Sequence, residues 1–175
     1  MGQIRKQQPV KLITGFIFKE EVAFDKARLI LERKFGRIDL ESLTLPFYQT
    51  DYYEKEFGRG LKRKFVSFKK LFCPSVLPGI KIYTNKIEKL YSNGQSRLIN
   101  IDPGYLDLAK VVLASTKDYK HRIYSDKGIY LEVTLFYSGK SYSPWDWTYP
   151  DYRSDDYISV FNQIREIYAQ QIKTK

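Results

Sequence analysis

Residues 9–36 read PVKLITGFIFKEEVAFDKARLILERKFG, and their hydrophobic period changes after Phe18. The first ten residues form an apolar, β-branched run, which predicts a central strand over residues 9–18. From Glu21 onward the apolar residues recur every three or four positions, and Gly36 follows them as a stop signal. This stretch therefore predicts a strand followed directly by a helix.

The same two periods continue along the chain and predict an α+β fold. Strand patterns cover residues 38–47, 61–68 and 97–101, and a helical pattern covers residues 80–91. The resulting order, β-α-β-β-α-β, is that of the ferredoxin-like, split-βαβ arrangement. We therefore expect a mixed, mainly antiparallel sheet with helices on one face.

The second half of the sequence is predicted to extend this unit. We expect a helix over residues 105–114, a hairpin of residues 119–124 with 129–137, and a C-terminal helix over residues 157–172. Internal repeats, low-complexity segments and linkers are absent. Residues 1–175 are accordingly interpreted as a single α+β domain.

Length and composition favour a cytoplasmic protein with its own core. Hydrophobic residues make up 43% of the 175 residues, which suffices for a packed interior without disulfides. The lone cysteine, Cys73, cannot form an internal disulfide, and this favours a reducing compartment. Because no apolar run approaches the roughly 18 residues needed to span a bilayer, no membrane association is expected.

The charge of the chain favours an anionic partner. Thirty Lys and Arg residues against 20 Asp and Glu residues give a formal charge of +10. Such a field suits a nucleotide, a sugar phosphate or RNA, although a lysine-rich solvated surface would have the same charge. The sequence specifies neither a cofactor nor an oligomeric state.

One basic stretch, residues 59–70, is a candidate phosphate-binding surface. It contains no acidic residue, and phenylalanines alternate with its cations, namely Arg59, Lys62, Arg63, Lys64, Lys69 and Lys70. Cations follow phosphates and aromatic rings stack on bases, so Arg59, Arg63 and Lys64 are candidate ligand-binding residues. The alternative is an edge strand whose lysines prevent aggregation.

Asp102-Pro103-Gly104-Tyr105 is interpreted as a turn between a strand and a helix. Pro and Gly suit the central positions of a type II turn. Asp102 would then either cap the following helix or project from the strand end as a catalytic candidate. Tyr105 would contribute a pocket wall.

His121 and Glu132 are the other catalytic candidates. If the turn at residues 125–128 pairs Tyr124 with Ile129, then His121 lies opposite Glu132. Such a pair could orient a general base, or it could be a cross-strand polar contact on a solvated face. An enzyme that uses Asp102, His121 and Glu132 on a phosphorylated or anionic substrate is therefore the alternative function.

Residues 145–153 form an aromatic loop that contains two Trp and two Tyr residues. We expect Trp147 and Tyr149 to cover either a ligand or an open edge of the core, and we expect Arg122 or Arg153 to lie nearby. One His and one Cys exclude an ordinary structural zinc site. No metal site is predicted.

Seven segments together resemble a known family, and they span most of the chain: residues 11–15, 35–42, 50–53, 100–105, 116–124, 128–134 and 147–153. The chain resembles an uncharacterised bacterial and archaeal family, domain of unknown function 4416. Members of that family are often labelled GTP-binding protein or GTP-binding regulator. The resemblance implies a family and no mechanism.

The sequence does not contain the motif of a P-loop GTPase. The nearest segment, residues 134–141, has Thr134 where the first glycine of the motif is required, and no helical pattern follows it. Ser138-Gly139-Lys140 is better explained as a hairpin turn. The sequence thus favours a non-catalytic binding or regulatory module for a phosphate-bearing ligand, without a P-loop.

Overall fold

The computed structural model describes residues 2–3, 7–48, 59–93 and 96–173. Most of the polar connection predicted between the strands at residues 38–47 and 61–68 lies outside the described residues. The first two elements are β1 (Val10–Phe18) and α1 (Glu21–Phe35). Every residue of β1 is buried, and α1 ends at Gly36, whose φ of 99° suits a residue without a side chain. The strand and helix predicted at the start of the sequence are confirmed.

The ferredoxin-like start is confirmed by the order of the strands. The next elements are β2 (Ile38–Glu41), β3 (Leu45–Pro46), β4 (Lys62–Phe72), α2 (Leu77–Leu90) and β7 (Ile99–Leu106), with the small β5–β6 hairpin (Ser92–Asn93 and Ser96–Arg97) before β7. Four of these strands lie in the order β7-β1-β4-β2, and each neighbouring pair is antiparallel. This order separates β1 from β2 by one inserted strand, as in a split βαβ unit.

The second half of the chain widens this sheet. Its elements are β8 (Lys110–Ser115), β9 (Ile123–Asp126), β10 (Ile129–Ser138), β11 (Ser141–Pro144) and the C-terminal helix α3 (Asp155–Lys173). Nine of the described strands then form one sheet in the order β11-β10-β8-β7-β1-β4-β2, with β3 beside β4 and β9 beside β10. The α+β class and the C-terminal helix are confirmed.

The helix predicted over residues 105–114 is wrong, because this segment turns back as a hairpin. The Asp107 carboxylate accepts hydrogen bonds from the backbone N–H groups of Ala109 and Lys110, both at 2.8 Å. These bonds stabilise a tight turn directly after β7, as short acidic side chains commonly do. The β-branched Val111 and Val112 then continue as the buried strand β8.

The turn predicted at residues 102–105 is wrong as well, since Asp102, Pro103, Gly104 and Tyr105 lie inside β7. A β-carbon on Gly104 would lie 2.4 Å from the Val112 carbonyl oxygen, so the glycine permits the close approach of β8. The pairing of β7 with β8 covers Gly104 to Leu106 and stops before Pro103. Because β8 does not pair with β7 at Pro103, no hydrogen bond to β8 requires an N–H there, and a proline is tolerated.

The helices cover both faces of the sheet, whereas one covered face was predicted. Leu12 and Phe16 of β1 pack with α1 and α2 on what we call the first face. Ile13 points the other way and packs with Phe161 and Ile164 of α3 on the second face. The alternating orientation of side chains along a strand explains this division. Because β1 has apolar residues on both of its faces, a helix can pack on the second face as well.

The hairpins near the sheet edge were predicted in part. Ser138 pairs with Ser141 around Gly139, so the predicted turn at Ser138-Gly139-Lys140 is confirmed. The β9–β10 hairpin pairs Asp126 with Ile129, which corrects the predicted pairing of Tyr124 with Ile129. The predicted strand at residues 119–124 begins only at Ile123. No helix in the described parts of the chain is long and apolar enough to cross a membrane.

Candidate functional site

Glu132 is the centre of the first polar group, which we call the Glu132 cluster (His121, Arg122, Glu132 and Tyr149). Glu132 lies on β10 and is only 3% exposed. The carboxylate accepts a hydrogen bond from Arg122 Nε at 2.9 Å, and His121 Nε2 lies 3.2 Å from the same oxygen. His121 and Glu132 therefore meet, but His121 reaches Glu132 from the segment before β9 and not from a paired strand.

Arg122 uses four of its five donors within the protein. Besides Glu132 it bonds the Ser115 hydroxyl at 2.9 Å, the Lys117 carbonyl at 3.1 Å and the Tyr149 hydroxyl at 3.3 Å. Burial alone would lower the pKa of Arg122. Its bonds to Glu132 and Tyr149 together raise that pKa by more, so the net shift is upward. A guanidinium engaged in this way has a structural role.

The His121 ring presents neither of its nitrogens to a ligand in this arrangement. Its Nε2 is committed to Glu132, and its Nδ1 is buried without a hydrogen-bond partner among the described residues. The ring stacks on Trp147 with centroids 6.1 Å apart and planes 15° apart. A general base must present an atom to the proton that it removes, and neither nitrogen of His121 does so.

The aromatic loop packs its rings on one another. Trp145 stacks on Trp147 at 5.0 Å and contacts Phe136 at 4.3 Å. Trp147 Nε1 donates to the Val133 carbonyl at 3.2 Å, which fixes the loop to β10. The rings of the loop therefore pack on one another and on β10, and Trp145 and Trp147 remain 36% and 40% exposed.

Arg153, predicted to lie near Glu132, bonds the backbone carbonyls of Asp146 at 2.6 Å and Thr148 at 2.7 Å. Those bonds hold the two ends of the aromatic loop together. Among its hydrogen bonds none reaches the Glu132 cluster within the described residues. Arg153 is thus a brace of the loop, while Arg122 is the arginine of the cluster.

The second polar group is buried on the second face, and we call it the Arg63 cluster (Arg63, Asn100, Asp102 and Tyr152). Arg63 of β4 is 1% exposed, and its guanidinium bonds the Tyr152 hydroxyl and lies 3.4 Å from the Asp102 carboxylate. Gly15 makes room for it, because a β-carbon there would lie 2.7 Å from Arg63 Nη2. Arg63, a candidate for an exposed phosphate surface, is instead an internal cross-link.

Asp102 belongs to this cluster. Asn100 Nδ2 donates to it at 2.7 Å, and Lys81 Nζ of α2 lies 3.7 Å away. Burial would raise the pKa of Asp102, but Lys81 and Arg63 outweigh burial, so the carboxyl has a lowered pKa and stays ionised. Burial raises the pKa values of its neighbours Tyr152 and Asp151.

Asp102 and the Glu132 cluster lie apart on the same face. Gly104, two residues along β7 from Asp102, aligns with Leu113, which aligns with Glu132. Two strand spacings and two residues place the backbones of Asp102 and Glu132 about 12 Å apart. The three proposed acid–base residues thus belong to two separate hydrogen-bond networks.

The basic stretch at residues 59–70 does not form one surface. Lys62 bonds Glu21 at 3.2 Å and Lys64 bonds Glu41 at 3.0 Å, both on the first-face side, while Arg63 points to the second face. The edge-strand alternative is wrong too, since β4 lies between β1 and β2. Of the remaining candidates, Arg59 is exposed just before β4, and Tyr105 packs against the first-face core.

A cavity among the described residues lies elsewhere, at the start of α1. We call it the α1 pocket, and its volume is about 290 Å³. It is lined by Lys19, Glu20, Val22, Ala23, Lys26, Tyr91, Ser96, Arg97 and Leu98. Three segments that are distant in sequence therefore build it, which are the β1–α1 corner, the end of α2 and the entry to β7.

The electrostatics of the α1 pocket favour an anion. It brings Lys19, Lys26 and Arg97 together with a single carboxylate, Glu20. Within the described part of the chain, Lys19 and Lys26 form no hydrogen bond or ion pair, and both are exposed. Glu20 does not cap α1 with its side chain, so the positive end of the helix dipole adds to the same field.

The sequence-based candidates include none of the pocket residues. One feature of the sequence indicates a site here: a buried strand passes directly into a helix at Lys19-Glu20, and ligands often bind at such corners. No group of three or more His, Cys, Asp and Glu residues that could hold a metal ion is found in the described ranges.

The chain belongs to the family described as Domain of unknown function (DUF4416), whose profile matches residues 8–168. The resemblance found in the sequence is thereby confirmed, while the GTP-binding label that members carry gains no support from the match. No curated protein and no solved structure shows a significant match to the chain.

Proposed function

We propose that this chain is a non-catalytic binding module for a small phosphate-bearing anion, a nucleotide in the first instance, and that the α1 pocket is its binding site. The observation that carries the proposal is the composition of this cavity, where three cationic side chains face one carboxylate. A pocket with such an excess concentrates anions and stabilises them once they are bound.

The pocket lysines differ from two lysines of the basic stretch, Lys62 and Lys64, in their ion pairing. Lys62 and Lys64 already have carboxylate partners, so an incoming phosphate would have to compete with Glu21 and Glu41. Lys19 and Lys26 have no such partner among the described residues. Their charges can therefore be used by a ligand without breaking an existing ion pair.

The walls of the pocket suit a ligand with an apolar or planar part. Val22 and Leu98 are 61% and 49% exposed, and Tyr91 lies beside them. Covering such apolar surface contributes about 25 cal/mol for each Å² removed from water. A nucleotide would place its base against this wall and its phosphate near the lysines.

The size of the pocket limits the ligand. A volume of about 290 Å³ lies at the lower end of the range for small-molecule sites, about 300–1,000 Å³. One mononucleotide or sugar phosphate is of that scale, whereas RNA could insert only a single nucleotide. No P-loop is involved, and the proposal includes a cytoplasmic location, which the lone cysteine favours.

The enzyme alternative has weaker geometric support. The His121 ring has no nitrogen open to a substrate, and Asp102 is bound within the Arg63 cluster. A reaction at either place would first require these hydrogen bonds to rearrange.

Calorimetric titration tests the proposal. GMP and AMP should bind the wild-type protein at low salt, and guanosine and adenosine should bind at least tenfold more weakly, because they lack the phosphate. The double variant Lys19→Gln/Lys26→Gln should lose at least tenfold in nucleotide affinity, while its circular dichroism and melting temperature stay unchanged.

Two results would reject the proposal. One is the absence of nucleotide and inorganic phosphate binding to the wild-type protein at about 50 mM salt. The other is an unchanged affinity in the double variant. Tight, salt-dependent RNA binding that survives the two substitutions would instead show that RNA binds through another basic surface.

A further inference from the structure

Arg97 connects the α1 pocket to a buried carboxylate. It lines the pocket, and its Nη1 donates to Glu88 Oε2 at 2.8 Å and to Asn100 Oδ1 at 3.0 Å. An anion in the pocket and the Glu88 carboxylate would therefore both attract the same guanidinium. Lys19 and Lys26 have no such competitor among the residues that the structure describes.

The Glu88 carboxylate is held beside Arg97, because its other oxygen is fixed by a second hydrogen bond. Glu88 Oε1 accepts a hydrogen bond from the Ile101 N–H at 2.7 Å, and Lys81 Nζ donates to the Ile101 carbonyl at 2.9 Å. This part of β7 has no pairing with β8, so the two side chains of α2 take the place of a neighbouring strand. Glu88 is accordingly 5% exposed and held in place.

We infer that Glu88 is a positioning residue that sets the anion affinity of the α1 pocket through Arg97. When Glu88 is ionised, it holds Arg97 and offsets its charge. When Glu88 is protonated, it no longer offsets the charge of Arg97, and the attraction of Arg97 for the anion increases. The inference rests on the proposed function, since it concerns the same pocket.

The surroundings of Glu88 raise the pH at which its carboxylate becomes protonated. Burial raises the pKa of Glu88, Lys81, the Ile101 N–H and Arg97 lower it, Asp102 raises it, and the net shift is upward. Asp102 has a lowered pKa and remains ionised over the same range. Anion affinity should therefore increase as the pH falls through the raised pKa of Glu88.

Titration with sulfate isolates this effect, because sulfate keeps its charge between pH 5 and 8. At constant ionic strength the wild-type protein should bind sulfate at least threefold more tightly at pH 5 than at pH 8. Glu88→Gln should bind sulfate at pH 8 more tightly than the wild type does at that pH, and its affinity should vary less with pH. Glu20→Gln, which removes the carboxylate inside the pocket, should retain the pH dependence.

The outcomes separate the inference from the proposed function. A wild-type affinity for sulfate that is constant from pH 5 to 8 overturns the inference even if Glu88→Gln fails to fold. Equal affinity and pH dependence in Glu88→Gln and wild type overturn it while leaving the nucleotide site intact. If the wild type binds neither sulfate nor nucleotide, the proposed function fails, and this inference fails with it.

Discussion

The Arg63 cluster and the α1 pocket both contain positive charge, yet they use it in opposite ways. Arg63 is buried against Asp102, Tyr152 and the Phe65 ring, whose centroid lies 4.8 Å from the guanidinium carbon. The pocket lysines are exposed and without an ion-pair partner in the described part of the chain. One set of cations joins layers of the fold, and the other remains available to a ligand.

The comparison shows that a high local density of basic residues does not identify a binding surface. The cations of β4 are distributed over two faces, and three of them have ion-pair partners there: Arg63 on the second face, and Lys62 and Lys64 toward Glu21 and Glu41. The pocket cations come from segments with no motif at all. Availability depends on which carboxylates the fold brings close, and this is a tertiary property.

Replacing Arg63 should have the largest effect on stability. Arg63→Ala leaves Asp102 with fewer compensating charges and removes the contacts with Tyr152, so the free energy of unfolding should fall by about 3–5 kcal/mol. Urea denaturation measures this loss. The matched control Lys62→Ala, which removes an exposed ion pair, should cost less than about 1 kcal/mol. Similar costs for both variants would contradict the distinction between internal and exposed cations.

The Glu132 cluster should behave like the Arg63 cluster. Glu132→Gln removes the negative charge beside buried Arg122, and charge-assisted hydrogen bonds of this kind contribute about 1.5–3 kcal/mol. The variant should unfold at lower urea concentration and still bind nucleotide as the wild type does. A variant of unchanged stability that no longer binds nucleotide would identify the Glu132 cluster as the functional site.

Gly15→Ala tests the space that Arg63 occupies. The added methyl group would lie 2.7 Å from Arg63 Nη2 and 3.0 Å from Phe65 Cε1, and such crowding costs about 1–3 kcal/mol. In the Arg63→Ala background the same substitution should cost clearly less, because the main obstacle is gone. A double-mutant cycle by urea denaturation measures this coupling, and additive effects would show that Arg63 does not lie over Gly15.

Hydrophobic periodicity was sufficient to predict β1, α1 and the β-α-β-β-α-β order, because those segments bury continuous or regularly spaced apolar residues. It failed at residues 102–114, where Pro103-Gly104 has the composition of a turn. Gly104 instead allows the backbone of β8 to approach closely at Val112. That contact joins two strands, so the local sequence does not record it.

The candidate sites show the same limit. His121 and Glu132 were expected to be neighbours, and they are, but the predicted register was wrong by two residues at Ile129 and by one residue at Tyr130 and Leu131. The α1 pocket was not predicted, because Lys19, Tyr91 and Arg97 become neighbours only after α1 and α2 have packed on the first face.

Nucleotide affinity in two matched double variants tests the central claim most directly. Lys19→Gln/Lys26→Gln and Lys62→Gln/Lys64→Gln each remove two positive charges, so the net charge of the protein falls equally in both. If the α1 pocket is the binding site, calorimetry with GMP should show at least a tenfold loss of affinity in the first variant and less than a twofold change in the second. Equal losses would mean that only net charge matters, and a larger loss in the Lys62/Lys64 variant would contradict the assignment of the site.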